Sequence, residues 1–239
     1  MFKRSLKPFI GATIVLIVLR EWRDGFFSRL KGFLKEISFE SYRGLAIAFP
    51  CAVIFTLFLD PYLTTLLQGL KGPFVESITT FGHRLGRDVN LWIGLAGLYS
   101  LASLTGRIKW RRYTFGILLG SLSSGILAHL LKFVFLRSRP DNQLGPYSFF
   151  NLGGLLGGER AFQSLPSGDV AVVAGASSCL FFMIPHRTLR WFVFLLPLST
   201  AFSRIGLNRH WPSDTVASLM MSLVVAKFIC DYLREEQHS

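Results

Sequence analysis

Three short stretches of this chain hold residue types that can grip and attack an anion. The first is KFVFLRSRP, where Lys132 and Arg139 stand seven residues apart. Seven residues are close to two helical turns, so one helix face can present both cations. Pro140 then disfavours helix at Arg139 and releases the chain into a loop. The second stretch, PSGD, is a turn that opens directly onto an apolar helix. Gly168 lets the backbone approach an anion closely, Ser167 offers a hydroxyl, and the helix start gathers N–H groups and the positive end of the dipole. Asp169 adds an acid at the same place, either as a cap or as a group acting on a bound ligand. The third stretch is SRIGLNRHWPSD. It ends an apolar segment with Ser203 and Arg204, then places His210 four residues before Asp214. A carboxylate in that first helical turn can reach back to a ring nitrogen, set the tautomer and raise the basicity of the other nitrogen.

Lys132, Arg139 and Arg204, together with a helix start, fit a phosphate. A His paired with an Asp fits a nucleophile or a base. No set of Asp and Glu provides a metal cage, so the expected chemistry needs no metal and no other cofactor. Taken singly, each of these residues also has an ordinary reading as an interface anchor, a helix cap or a solvated side chain.

The elements that must position these groups are membrane helices. Of the 239 residues, 51% are hydrophobic and only 17% charged, and the mean hydropathy is +0.43. That is too apolar for an ordinary soluble domain and fits an all-α, polytopic membrane protein. The net charge of +12 suggests nucleic acid at first sight, but no recognition motif accompanies it. Basic residues between apolar runs fit membrane topology and anionic lipid instead. Six spans are expected, at 43–61, 89–106, 113–135, 169–185, 191–207 and 214–232. The basic loops GRIKWRR and HRTLR fall on one side with the N-terminal arm, which makes that side cytoplasmic. Loops 62–88, 136–168 and 208–213 then face outward; 62–88, carrying His83, Arg84 and Arg87, reads as a loop helix outside the bilayer. Arg137, off the Lys132 face, is expected to snorkel at the interface.

Residues 1–42 form a separate expected unit. The apolar run Pro8–Leu19 is followed by no small-residue cleavage site, and twelve helical residues reach ~18 Å against a ~30 Å hydrocarbon core. Phe26, Phe27, Leu30, Phe33, Leu34 and Ile37 recur at helical spacing, opposite basic residues, as in a helix lying on an anionic leaflet or against the bundle. The six-helix unit covers 43–232, and 233–239 is a short cytoplasmic tail. Cys51, Cys179 and Cys230 lack metal-ligand spacing and read as small packing residues.

The order and spacing of the motifs resemble the type-2 phosphatidic acid phosphatase superfamily. Its K-x6-RP, PSGH and SR-x5-H-x3-D patterns are matched here by Lys132…Arg139-Pro140, Pro166-Ser167-Gly168 and Ser203-Arg204…His210…Asp214. The resemblance implies a six-helix membrane fold and hydrolysis of a phosphomonoester or diphosphate. It implies His210 as nucleophile, forming a phosphohistidine, with Asp214 orienting it. Lys132, Arg139 and Arg204 would hold phosphate oxygens, with Ser167 and Gly168 adding hydrogen bonds. One position departs: the family's second motif ends in His, its general acid, and this chain has Asp169. Either Asp169 donates the proton from a raised pKa, or the leaving group needs little protonation, as a sugar anomeric phosphate or a diphosphate would. The expected substrate is a phosphorylated lipid at the periplasmic face of a bacterial inner membrane: lipid A in first place, then an isoprenyl diphosphate or phosphatidylglycerol phosphate. Transfer of the phosphoryl group to a second lipid, or phosphate binding without catalysis, are the alternatives left open.

Overall fold

The computed structural model describes residues 42–153 and 160–235, together with residues 16, 20 and 25. Nearly all of the expected N-terminal arm, and residues 236–239 of the tail, lie outside the described residues. Among the described residues the chain is all-α, as its composition predicts, and contains no strand. The helices are α1 (Arg43–Gly69), α2 (Pro73–Leu85), α3 (Asp88–Leu104), α4 (Ile108–Phe135), α5 (Gly168–Met183), α6 (Arg187–Phe192), α7 (Leu195–Gly206) and α8 (Pro212–Glu235). Two single 3-10 turns, Pro140–Asn142 and Arg160–Phe162, lie in the long connection between α4 and α5.

By length and hydropathy α1, α4 and α8 can each cross a bilayer. Large apolar side chains such as Ile54, Phe55 and Phe58 point outward from α1, as a lipid-facing surface requires. The other three expected spans are shorter. Helices α3 and α5 have 17 and 16 residues, and α7 has 12, a rise of ~18 Å. The region expected as one loop helix over 62–88 is divided: α1 continues to Gly69, and α2 begins at Pro73.

Helix α5 is the centre of the bundle, packed mainly between α4 and α8. Its sequence, GDVAVVAGASSC, is made of small and β-branched residues, and Val170 through Cys179 are buried. Small side chains let helix backbones approach closely where no water drives association. A Cβ built on Gly175 would stand 2.2 Å from the carbonyl oxygen of Gly120 on α4, so only glycine fits that crossing. On the other side Ser218 and Ser222 of α8 donate hydrogen bonds to the carbonyls of Ser167 (2.9 Å) and Ala171 (3.1 Å). Helix α2 meets α7 as tightly, since a Cβ on Gly82 would lie 2.1 Å from the Ser199 carbonyl oxygen. Cys179 and Cys230 lie in the apolar core with Phe115, Leu118 and Ile229, in keeping with a packing role, and all three cysteines are free.

The ends of these helices carry the motifs. Helix α4 stops at Phe135, and Leu136 takes a left-handed conformation with φ 42°. Arg139 therefore does not share a helical face with Lys132 as its spacing suggests; it stands on extended backbone beyond the helix. Neighbouring loops pin that backbone. The Ser138 N–H donates to Ser148 O (2.9 Å), Arg139 N–H to Ala161 O (2.8 Å), and Ser164 N–H to Arg137 O (3.0 Å).

Candidate active site

Lys132 near the end of α4, Arg139 beyond it, Gly168 and Asp169 at the start of α5, Arg204 on α7 and His210 before α8 line one cavity of about 930 Å³. The three sequence motifs thus meet. Gly168 shows how closely: a Cβ there would be 3.3 Å from Lys132 Nζ. A phosphate against this turn would meet an ammonium and the N–H groups of the first turn of α5 together. Three further cations line the same cavity, Arg87, Arg160 and Arg209, and among the described residues the one carboxylate lining it is Asp169. Ser167 is the exception among the expected ligands. It is fully buried and does not line the cavity, although its Oγ lacks a hydrogen-bond partner.

His210 is only 3% exposed, with its ring fixed from behind. Nδ1 lies 2.8 Å from the carbonyl oxygen of Ser164 and 3.5 Å from Asp214 Oδ2. A backbone carbonyl only accepts, so Nδ1 carries the hydrogen and Nε2 carries the lone pair. Sequence spacing pointed to Asp214 alone as the group that fixes this tautomer; the nearer partner is Ser164. Burial pushes the imidazole's pKa below its ordinary value against the pull of Asp214, and Arg139 and Lys132 push it the same way. The ring is therefore held neutral, the form that can attack.

Asp214 is held by several donors. Ser164 Oγ donates to Oδ2 (2.5 Å), as does the Trp211 N–H (2.9 Å), and Arg137 Nη1 pairs with Oδ1 (2.5 Å). Arg137 was expected to snorkel to the interface. Instead its side chain is 0% exposed and its second nitrogen, Nη2, pairs with Asp60 of α1 at 2.6 Å. Asp60 also accepts from the Ser213 N–H (2.8 Å). The guanidinium lies over the rings of Phe149 (5.0 Å) and Trp211 (5.7 Å). Two carboxylates beside one guanidinium explain the placement: a buried charge is tolerated when paired and fully hydrogen-bonded. Asp60, Arg137 and Ser164 thus complete the support of His210, and the motif spacing did not flag them. One signal was present, since Asp60 is an ionisable residue inside an otherwise apolar span.

The N-cap of α5 is Ser167, which makes no side-chain cap hydrogen bond, and Asp169 stands in the first turn. Its Oδ2 pairs with Arg204 Nε at 2.7 Å. The contact is a charge pairing without hydrogen-bond alignment, because Arg204 Nε makes no aligned hydrogen bond.

The profile of the PAP2 superfamily matches residues 113–237, which span every one of these motifs. The chain belongs to the PAP2 superfamily. Its similarity extends to the lipid A 1-phosphatase of Rhizobium etli, 32% identical over 98 residues, or 40% of this chain and 40% of that protein. The lipid A 1-phosphatase of Rhizobium johnstonii is also 32% identical over 98 residues, covering 40% of this chain and 38% of that protein. The chain therefore spans about 40% of the length of the curated relatives it matches. In fold it is similar to Aquifex aeolicus LpxE, known from a crystal structure, with a TM-score of 0.54 and 18% identity over 72% of this chain and 95% of that one. The likeness in fold thus covers 72% of the chain, against 40% for the similarity in sequence to the two phosphatases.

Proposed function

We propose that this PAP2 protein is a metal-independent lipid phosphatase that removes phosphate from a lipid head group through a phosphohistidine at His210. The observation that carries this reading is the shared cavity. A neutral imidazole with a free Nε2 faces the same space as Lys132, Arg139 and Arg204. In the first step Nε2 attacks phosphorus and the bond to the leaving oxygen breaks. The cations and the α5 N-terminus hold the three non-bridging oxygens, where charge is spread in the transition state. Asp214, fixed by Arg137, stabilises the imidazolium formed on phosphorylation. In the second step water attacks phosphorus, the P–N bond breaks, Nε2 regains its lone pair and inorganic phosphate is released.

A lipid substrate is supported by a second cavity of about 320 Å³. It has apolar walls at Trp92, Ile126, Leu130 and Val172, and ends on Lys132, Gly168 and Asp169, which belong to the polar cavity too. A head group can occupy the charged space while an acyl chain leaves between α3, α4 and α5. Basic residues Lys109, Arg111 and Arg112 lie at the opposite end of α4 from the site. The positive-inside pattern supports a site at the periplasmic face of a bacterial inner membrane. Lipid A is the favoured substrate because an anomeric phosphate leaves readily and the relatives at 32% identity are lipid A 1-phosphatases.

The test is phosphate release by purified protein from lipid A, an isoprenyl diphosphate and phosphatidylglycerol phosphate, with His210→Ala alongside. The expected result is release from lipid A, an acid-labile phosphoenzyme in the parent, and neither in H210A. No release from any of the three lipids, or release unaffected in H210A, refutes the reading.

A further inference from the structure

Breaking a P–O bond to an alkoxide calls for a proton at the departing oxygen, so a phosphatase site with His210 as nucleophile needs a second group to supply it. This inference rests on the function proposed above. Among the described residues, four titratable candidates other than the cations line the cavity: Asp169, His210, His129 and His83. His210 attacks. Asp169 is engaged as the acceptor of the Arg204 charge, 2.7 Å away. His129 is exposed, stacks edge-on against Phe133 at 5.4 Å, and also lines the apolar groove.

His83 differs from the other three. It sits on α2, where Thr79 and Thr80, three and four residues earlier, line the cavity with it, and Arg87 joins them from just beyond the helix end. Its Nδ1 is buried without a hydrogen-bond partner in the protein. A buried ring nitrogen left unsatisfied is costly unless a ligand or water meets it. The helix that carries it is seated firmly. Gly82, the residue before, packs backbone to backbone on α7, and a Cβ on Gly86 would lie 2.7 Å from Thr200 Cγ2 and 3.2 Å from Asp169 Cβ. His83 thus stands between two glycines that press α2 against α7 and the start of α5. Burial lowers its pKa, and Arg204 and Arg87 push the same way against Asp169. A bound phosphate dianion acts in the opposite direction and favours the imidazolium.

We propose that His83 is the acid–base residue of the reaction, protonating the leaving oxygen as His210 takes the phosphoryl group. As the P–O bond breaks and the P–N bond forms, the His83 proton passes to the leaving alkoxide and yields the free alcohol. His83, now neutral, accepts a proton from the water that attacks the phosphohistidine. Phosphate departs, His210 regains its lone pair on Nε2, and both residues return to their starting states. Asp169 in this arrangement orients the Arg204 guanidinium.

The experiment compares parent, H83Q, H129Q and D169N on an alkyl phosphate lipid and on a nitrophenyl phosphate, whose leaving group needs no proton. In H83Q the alkyl ester is expected to lose about 10²-fold or more in turnover and the aryl ester less than about tenfold. Thermal unfolding checks that each variant keeps its fold; where H83Q does not, H83N carries the same comparison. Equal losses on both esters in a folded variant, or no loss at all, overturn the proposal. So does a loss selective for the alkyl ester in D169N or H129Q with H83Q unaffected. A parent inactive on both esters refutes the phosphatase reading itself, and this assignment with it.

Discussion

Replacing Asp60 by Asn tests whether a charge on α1 holds the support of the nucleophile in place. Asp60 and Arg137 are both 0% exposed and 2.6 Å apart, and Arg137 is shared with Asp214. Removing one partner of a buried ion pair costs about 3–5 kcal/mol. Asn keeps an acceptor for the Ser213 N–H, so the low end applies, about 3 kcal/mol. In a chain of this length 1 kcal/mol moves Tm by about 2–4 °C, which makes the expected drop about 6–12 °C in a detergent melt. Arg137→Met strands two carboxylates and should cost more. The double variant should be destabilised by less than the sum of the two, by about 2 kcal/mol, because Asp60 and Arg137 act as one unit. In D60N Arg137 is drawn to Asp214 alone, and a shift of the His210 support by about 1 Å lowers kcat by up to about 10²-fold. A D60N melt within about 2 °C of the parent, or strict additivity in the double variant, refutes the reasoning.

Burial holds the His210 pKa below its ordinary value, and in the proposed mechanism the neutral ring is the one that attacks. Activity is therefore present above that depressed pKa and is lost as pH falls through it. Asp214→Asn removes an influence that raises the His210 pKa, so the acid limb of kcat/KM should move to still lower pH while the rate falls; a limb above the ordinary histidine range contradicts this. Gly168→Ala places a Cβ 3.3 Å from Lys132 Nζ, which must move by a few tenths of an ångström. Its expected effect is a higher KM for the phosphorylated lipid with stability within about 0.5 kcal/mol of the parent, read by titration and by melting. Gly175→Ala drives a Cβ to 2.2 Å from the Gly120 carbonyl oxygen. Overpacking of about 1–3 kcal/mol should follow, seen as a lower Tm with KM unchanged in the protein that stays folded.

The parts of the site that sequence reveals are those that are local. His210 and Asp214 are four residues apart across a helix start, so their 3.5 Å contact follows from spacing. The PSG turn announces the start of α5 for the same reason. Asp60 and Arg137 are separated by 77 positions, and no periodicity links them. The short span at α5, expected at 169–185, has a physical reason too. Helix α5 is apolar along its length, yet it packs against protein, so it need not match the hydrocarbon thickness that a lipid-facing helix does. Charge carries the remaining lesson. The loop charges were read as topology, which suits Lys109, Arg111 and Arg112 at the end of α4 away from the cavity. Arg87, Arg160 and Arg209 lie at the other end of the bundle, where that pattern predicts few cations, and all three line the cavity. Arg209 has a partner in Asp141 at 3.3 Å, but among the described residues lining the cavity Asp169 is the one carboxylate beside six cations, an excess of positive charge that favours an anionic ligand.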